Sequence, residues 1–340
     1  MNFTSDTSAP AHPAVIEALA SVNIGMEASY GGDSVTAGLR EKLAALFETE
    51  EFEFWLTASG TASNALALSC FCSSIGAVLC HEEAHIARDE RGAPEFFSGG
   101  GKLQLLTGFG ARIDREALET ALGQINPSFV HETPAEVLSL TNLTECGTAY
   151  RAAEIALYAG LAKEKGLSVH LDGARLGNVL ANGKTAAAEM TWRAGVDVLT
   201  FGLTKTGAIG CEIILLFGDA QKKSGELRAR AKRSGHMPPK MRFLAAQAHA
   251  MLDDGLWLQL AGQANARAQA LADVFMQAGF DLAYPVDGNE VFPILSKDAA
   301  RRLVAASGKF YPSPGGAYRF VCSWSTAEAE IAAVADALRA

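Results

Sequence analysis

Lys205 carries a primary amine that can condense with an aldehyde to form a Schiff base, and Asp172 a carboxylate that can keep a pyridine nitrogen protonated. Asp172 closes the apolar run LSVHLDG and Lys205 follows the apolar run VDVLTFG. Both are therefore expected at the C-terminal ends of strands, where α/β sheets bind ligands. A carboxylate beside a pyridinium favours the charged ring, which then accepts the electrons released when a bond at Cα breaks. Taken singly, an Asp in such a place also reads as a turn cap and a Lys as a solvated charge. Their company narrows the reading: HLDGAR at 170–175, FGLTKTGAIG at 201–210, and TASGTASN at 57–64.

In TASGTASN an apolar run enters Gly60 and a helix pattern follows. The first-turn amides of such a helix have no intrahelical acceptor and lie at the positive end of its dipole, so a phosphate binds readily there. Ser59 and Thr61 can add hydroxyl donors, and Thr204, beside the lysine, another. Without the lysine, the same turn reads as a capped strand-to-helix connection.

These residues need a frame. From about residue 50, short apolar runs alternate with helix-period segments: FEFWLTA then TASNALALSCF, and EVLSLTN then a helix from Ala152 to Lys165, followed by LSVHLDG and VDVLTFG. That alternation predicts an α/β fold, and strands apolar on both faces predict a mostly parallel sheet covered by helices. TAGLREKLAALFE predicts a packing helix with Leu39, Leu43, Leu46 and Phe47 on one face. After CEIILLF a stretch at 221–242 holds eight Lys or Arg against Glu226 alone, and a helical pattern then runs from Met241 to Gly279. Strand-like FDLAYP, VFPIL and AYRFVCSW, with helices near 298–306 and 326–339, predict a small α+β part. The expected division is 1–245 for the N-terminal segment and large domain, and 246–340 for the small C-terminal domain. With 340 residues, 49% hydrophobic and 20% charged, the chain suits a soluble globular enzyme. A net charge of −9 argues against a nucleic-acid binder, and small molecules are the expected partners. Cysteines at 70, 72, 80, 146, 211 and 322 show no disulfide spacing, and the N-terminus lacks a signal-peptide pattern. A cytoplasmic protein with no membrane contact is expected.

Taken together, these segments resemble the low-specificity L-threonine aldolases, pyridoxal-phosphate enzymes of the aspartate-aminotransferase fold. The resemblance rests on SDT at 5–7, YGGD at 30–33, SGTASN at 59–64, EEAHIARDE at 82–90, LDGAR at 171–175, TK at 204–205 and YRFVCSW at 318–324. It implies pyridoxal 5′-phosphate as cofactor and cleavage of threonine, allo-threonine or a related β-hydroxy-α-amino acid to glycine and an aldehyde. It also implies that Lys205 forms the Schiff base, that Asp172 pairs with the pyridine nitrogen and that His85 lies against the ring. Arg175 would sit near the phenolic oxygen or the substrate, and Ser5 and Arg319 would hold the substrate carboxylate, which suits a bidentate arginine fork. Tyr30, Asp33 and Glu90 match family positions too, with Tyr30 expected at the substrate. Many such aldolases carry a histidine just after the strand that here reads SLTNLTECG; this chain has Asn142, Leu143 and Thr144, and Asn142 is expected to hydrogen-bond the cofactor. The general base is open between His85 and an ordered water.

HEEAH at 81–85 matches HExxH formally, but it follows the strand-like GAVLC directly, so no metal site is expected. SGGGK at 98–102 lacks P-loop spacing and reads as a turn. The basic run at 221–242 is a solvated helix face, or it brings Arg230, Lys232 or Lys240 to a neighbouring subunit's phosphate in a homodimer or homotetramer with shared active sites. The alternatives to aldol cleavage are a β-eliminating lyase or aminotransferase on the same cofactor, and a silent cofactor-binding relative.

Overall fold

The computed structural model describes residues 1–183 and 185–339. Seven strands form the main sheet: β1 (Phe52–Thr57), β2 (Ala77–His81), β3 (Lys102–Leu106), β4 (Ala135–Thr141), β5 (Ser168–Gly173), β6 (Val198–Gly202) and β7 (Glu212–Phe217). Their spatial order is β1-β7-β6-β5-β4-β2-β3, and only β7 runs against its neighbours. The sheet is mostly parallel for the physical reason anticipated: β2, β6 and β7 are buried along their whole length, so both faces must be covered. Helices Ser34–Phe47, Gly60–Phe71 and Ala152–Glu164 do much of the covering. In the first of these, Asp33 caps the start by accepting the Thr36 amide at 2.7 Å, and Leu39, Leu43 and Phe47 enter the core. Each such side chain contributes about 1.5–3 kcal/mol of burial.

The helical pattern expected from Met241 to Gly279 is broken in two. Asp254 and Gly255 take left-handed conformations (φ 50° and 67°), which separate the helices Arg242–Leu252 and Leu256–Gln277. The second of these passes from one apolar core to another: Trp257 and Leu260 pack with the sheet, whereas Ala268, Leu271 and Phe275 pack with Phe3, Phe320 and Val334. A boundary after residue 245 falls inside the helix Arg242–Leu252, whose buried Ala245, Ala248 and Met251 belong to the sheet's core. The change of core comes one helix later, and the N-terminal Phe3 returns to the second core.

That second core lies under a small antiparallel sheet of β8 (Glu290–Val291), β9 (Tyr311–Pro312) and β10 (Tyr318–Val321), with helices Lys297–Ala305 and Glu328–Arg339. FDLAYP is not a strand: it contributes a single bridge, Leu282 to Pro293, because Pro285 and Pro293 interrupt a continuous ladder.

Candidate active site

The C-terminal ends of β5 and β6 bring Asp172 and Lys205 together. Asp172 pairs in register with Thr141 of β4 and Thr200 of β6. Lys205 sits in the short 3-10 turn Thr204–Thr206, three residues beyond β6. The two strand ends approach so closely that a Cβ on Gly202 would come within 2.6 Å of the Ala174 carbonyl oxygen, so only glycine fits there. Lys205 is half-buried and lines a 570 Å³ cavity together with His85, Arg175, Arg319 and Ser5. Its ammonium has no hydrogen-bond or ionic partner among the described residues.

Asp172 is only 2% exposed. One oxygen accepts from Asn64 Nδ2 at 2.8 Å, and the other accepts the Ala174 amide at 3.0 Å. The second hydrogen of Asn64 Nδ2 goes to Glu90 Oε1 at 2.9 Å, and that oxygen lies 2.8 Å from His85 Nδ1. A relay of four side chains thus ties the strand-end carboxylate to the histidine. With Nδ1 engaged, His85 has Nε2 left for the cavity. Burial opposes charge on His85, but the Glu90 hydrogen bond and the charges of Glu145 and Asp172 outweigh it and raise its pKa above the ordinary value. Burial also raises Glu90, against its bonds from His85 and Asn64.

A second buried network lies beside Lys205. Arg175, 3% exposed, donates to both oxygens of Asp6, at 2.7 and 3.2 Å, and its Nη2 lies 3.6 Å from Glu290. Arg319 donates to Glu290 Oε1 through Nε (2.9 Å) and Nη2 (2.6 Å). Asn289 completes the cluster with a bond to Asp6 at 3.0 Å. Burial alone would raise Asp6, but Arg175 and Lys205, with hydrogen bonds from Arg175 and Asn289, bring its carboxyl down to about 2. Ser5 caps the turn that holds Asp6, its hydroxyl accepting the Thr7 amide at 3.2 Å.

At the strand-to-helix turn, Ser59 accepts the Ala62 amide at 3.2 Å. The amides of Gly60 and Thr61 have no acceptor among the described residues, and a Cβ on Gly60 would meet open space. Thr61 stands one turn, about 5 Å, up the helix from Asn64 and its bond to Asp172. The lysine turn packs against the same corner, since a Cβ on Gly210 would lie 3.0 Å from the Ala58 carbonyl oxygen.

Four expected contacts lie elsewhere in the single chain. The Asn142 carboxamide is fully buried and spent on the Tyr150 backbone, accepting its amide at 3.0 Å and donating to its carbonyl at 3.1 Å, so it braces a loop and does not reach the cavity. Tyr30 lines a separate cleft of 510 Å³ and carries the Lys232 ammonium 4.2 Å above its ring. The Thr204 hydroxyl turns inward, accepting the Cys211 amide at 3.0 Å and bonding the buried Glu212. Arg230 is engaged by Glu226 at 2.7 Å and by the Phe97 carbonyl at 3.2 Å. The HEEAH segment runs from the end of β2 into a loop: His81 bonds Gly108 and Glu83, while His85 opens a new helical turn. Asn64, Asp6 and Glu290 were not assigned roles from the sequence, although Asn64 and Asp6 stand inside the quoted SGTASN and SDT motifs.

The donor set fits pyridoxal phosphate. An unpaired amine suits the aldehyde, a buried carboxylate the ring nitrogen, and free helix amides the phosphate. The buried Glu90 Oε2 and Asn64 Oδ1, without partners among the described residues, mark polar capacity left over beside that space.

The fold and this donor set define a pyridoxal-phosphate enzyme of the aspartate-aminotransferase type; an aspartate aminotransferase of Thermus thermophilus superposes with a TM-score of 0.73 at 17% identity, over 97% of this chain and 88% of that one. The beta-eliminating lyase family model matches residues 2–298, and the chain belongs to that family. It is 39% identical to a low specificity L-threonine aldolase of a Pseudomonas species over 341 residues, 99% of this chain and 97% of that protein. A threonine aldolase structure from Leishmania major covers 99% of this chain and 98% of its own, with a TM-score of 0.92 and 27% identity.

Proposed function

We propose that this chain is a pyridoxal-phosphate-dependent aldolase that cleaves L-threonine, L-allo-threonine or a related β-hydroxy-α-amino acid to glycine and an aldehyde. The observation that carries the reading is the unpaired Lys205 amine, in one cavity with Arg319 and His85 and beside the buried Asp172. Bound at Lys205, the cofactor supplies a ring that accepts electrons from Cα. Asp172, held by Asn64 and the Ala174 amide, keeps a proton on the ring nitrogen. The Gly60 and Thr61 amides, with the Ser59 and Thr61 hydroxyls, receive the phosphate. His85, locked through Nδ1 by Glu90, presents Nε2 to the cavity in a fixed orientation. Arg319 and Ser5 hold the substrate carboxylate, which fixes the direction of the Cα–Cβ bond and so selects which bond breaks. Glu290 fills the Nε–Nη2 side of Arg319 and Nη1 lies 3.5 Å from the Thr4 carbonyl oxygen, so the remaining Nη1 hydrogen is the one offered to that carboxylate. β-Elimination and transamination are not favoured by the comparison with threonine aldolases.

The same reading has the enzyme working as a homodimer or homotetramer with shared sites, in the cytoplasm. Support for the first comes from Tyr30, which does not reach its own chain's cavity, and from exposed Ile24 and Met26 near it. Lys240, without an ionic partner among the described residues, suits a neighbouring phosphate. Six unpaired cysteines suit a reducing compartment. An aldehyde-release assay across a panel of β-hydroxy amino acids, run with wild type and Lys205→Ala, tests the reading: equimolar glycine and aldehyde from wild type only is expected, and ammonia with a keto acid would overturn it.

A further inference from the structure

Glu145 stands on the loop between β4 and the helix Ala152–Glu164, and that loop is rigidly framed. The Thr144 and Thr148 hydroxyls both donate to the Gly110 carbonyl, at 2.9 and 2.6 Å, and the Thr144 amide bonds the Thr148 carbonyl at 2.9 Å. Asn142 clasps the Tyr150 backbone on both sides. Gly147, at φ 71°, lies so close that a Cβ on it would approach the Glu290 Cβ to 3.1 Å. This frame presents Glu145 and its neighbour Cys146 to the cavity of Lys205, His85 and Arg319.

The other carboxylates nearby are committed or outlying. Asp172 is taken by Asn64, Glu90 by His85, and Asp6 and Glu290 by arginines. Glu83 pairs with Arg88, and Glu82 and Asp89 stand exposed at the rim. Glu145 is half-buried and makes no side-chain hydrogen bond to any described residue. It lines the same cavity as the His85 imidazole and the Arg175 guanidinium. His85 is held by Glu90 at Nδ1, 2.8 Å away, which leaves Glu145 as the half-buried carboxylate lining this cavity that has no side-chain partner among the described residues.

We infer that Glu145 is the catalytic base of the cleavage, taking the proton of the substrate's β-hydroxyl as the Cα–Cβ bond breaks. The inference rests on the aldolase reading above. The O–H electron pair becomes the second C–O bond of the aldehyde, the Cα–Cβ pair stays with Cα, Cα takes up one proton from solvent to give glycine, and Glu145 returns to solvent the proton it took. The sum is substrate to glycine plus aldehyde, with no oxidant or reductant.

Holoenzyme of Glu145→Gln is the test, with Glu145→Ala beside it. For Glu145→Gln, kcat on threonine is expected to fall on the order of 100-fold or more, the usual yield of a positioned base. Glycine affinity, read by titrating the cofactor absorbance, is expected to stay within about twofold, since glycine has no β-hydroxyl. Added formate should restore part of the Glu145→Ala rate, which a structural defect would not allow. Glu145→Gln with kcat within about threefold of wild type would overturn the inference, as would glycine affinity lost in step with kcat. Wild type that binds glycine yet releases no aldehyde from any β-hydroxy amino acid would instead overturn the aldolase reading itself.

Discussion

Replacing Asp6 by asparagine leaves Arg175 buried without its bidentate partner, and the cost can be worked from the structure. The Asp6 carboxyl sits at about 2 in the fold against 3.8 in the open chain. At 1.36 kcal/mol per pH unit this depression stabilises the folded state by about 2.5 kcal/mol at neutral pH. Because the pKa is lowered, that stability is present above 3.8 and is lost as pH falls through 2; about half of it remains at pH 3. Asp6→Asn removes it at every pH and adds the cost of an unpaired guanidinium, offset in part by Glu290 at 3.6 Å. The total is about 3–5 kcal/mol, the range for breaking a buried pair from one side. With roughly 2.1 cal/mol/K of unfolding entropy per residue, 340 residues give about 0.7 kcal/mol/K, so Tm should fall by about 4–7 °C at pH 7. Differential scanning calorimetry of wild type and variant from pH 7 to pH 3 should show the gap narrowing as the medium becomes more acidic. A gap under about 1 °C at pH 7, or one unchanged down to pH 3, would refute the stabilisation assigned to this buried pair.

Further outcomes follow from the same geometry. Burial raises the Glu212 carboxyl to about 7, against bonds from Thr204 and Leu203. Stability from this group is therefore full below 4.5 and lost as pH rises through 7, so wild type should lose about 3 kcal/mol over that interval relative to Glu212→Gln in urea titrations. Parallel curves for the two would contradict it. Arg319→Ala should raise KM for threonine by about 10- to 100-fold, the worth of a charge-assisted hydrogen bond, with cofactor affinity unchanged by equilibrium dialysis; equal loss of both would remove its role as carboxylate clamp. Asn64→Ala cuts Asp172 from Glu90 and should weaken cofactor binding by about 10-fold or more, and a variant that keeps wild-type affinity would show the relay to be idle.

The sheet was legible because its strands are apolar on both faces, and the pair Asp172 and Lys205 because each closes or follows such a strand. The site's polar frame was not legible, since its bonds join residues remote in sequence: Arg175 to Asp6 across 169 positions, Asn64 to Asp172 across 108. Arg319 came only from resemblance, and a strand arginine gives no local sign of Glu290 29 residues before it. Asn142 was assigned to the cofactor because an asparagine after a strand can serve many partners; its own is Tyr150, eight residues on, which only the folded loop brings back. The change of core inside the helix Leu256–Gln277 was hidden because both halves keep the same helical period.

Borohydride reduction of the holoenzyme, followed by peptide mass mapping, reads the attachment of the cofactor directly. A single pyridoxyl adduct on Lys205, absent from Lys205→Ala, is expected. An adduct on another lysine, or none on a protein that still cleaves threonine, would contradict the chemistry assigned to this cavity.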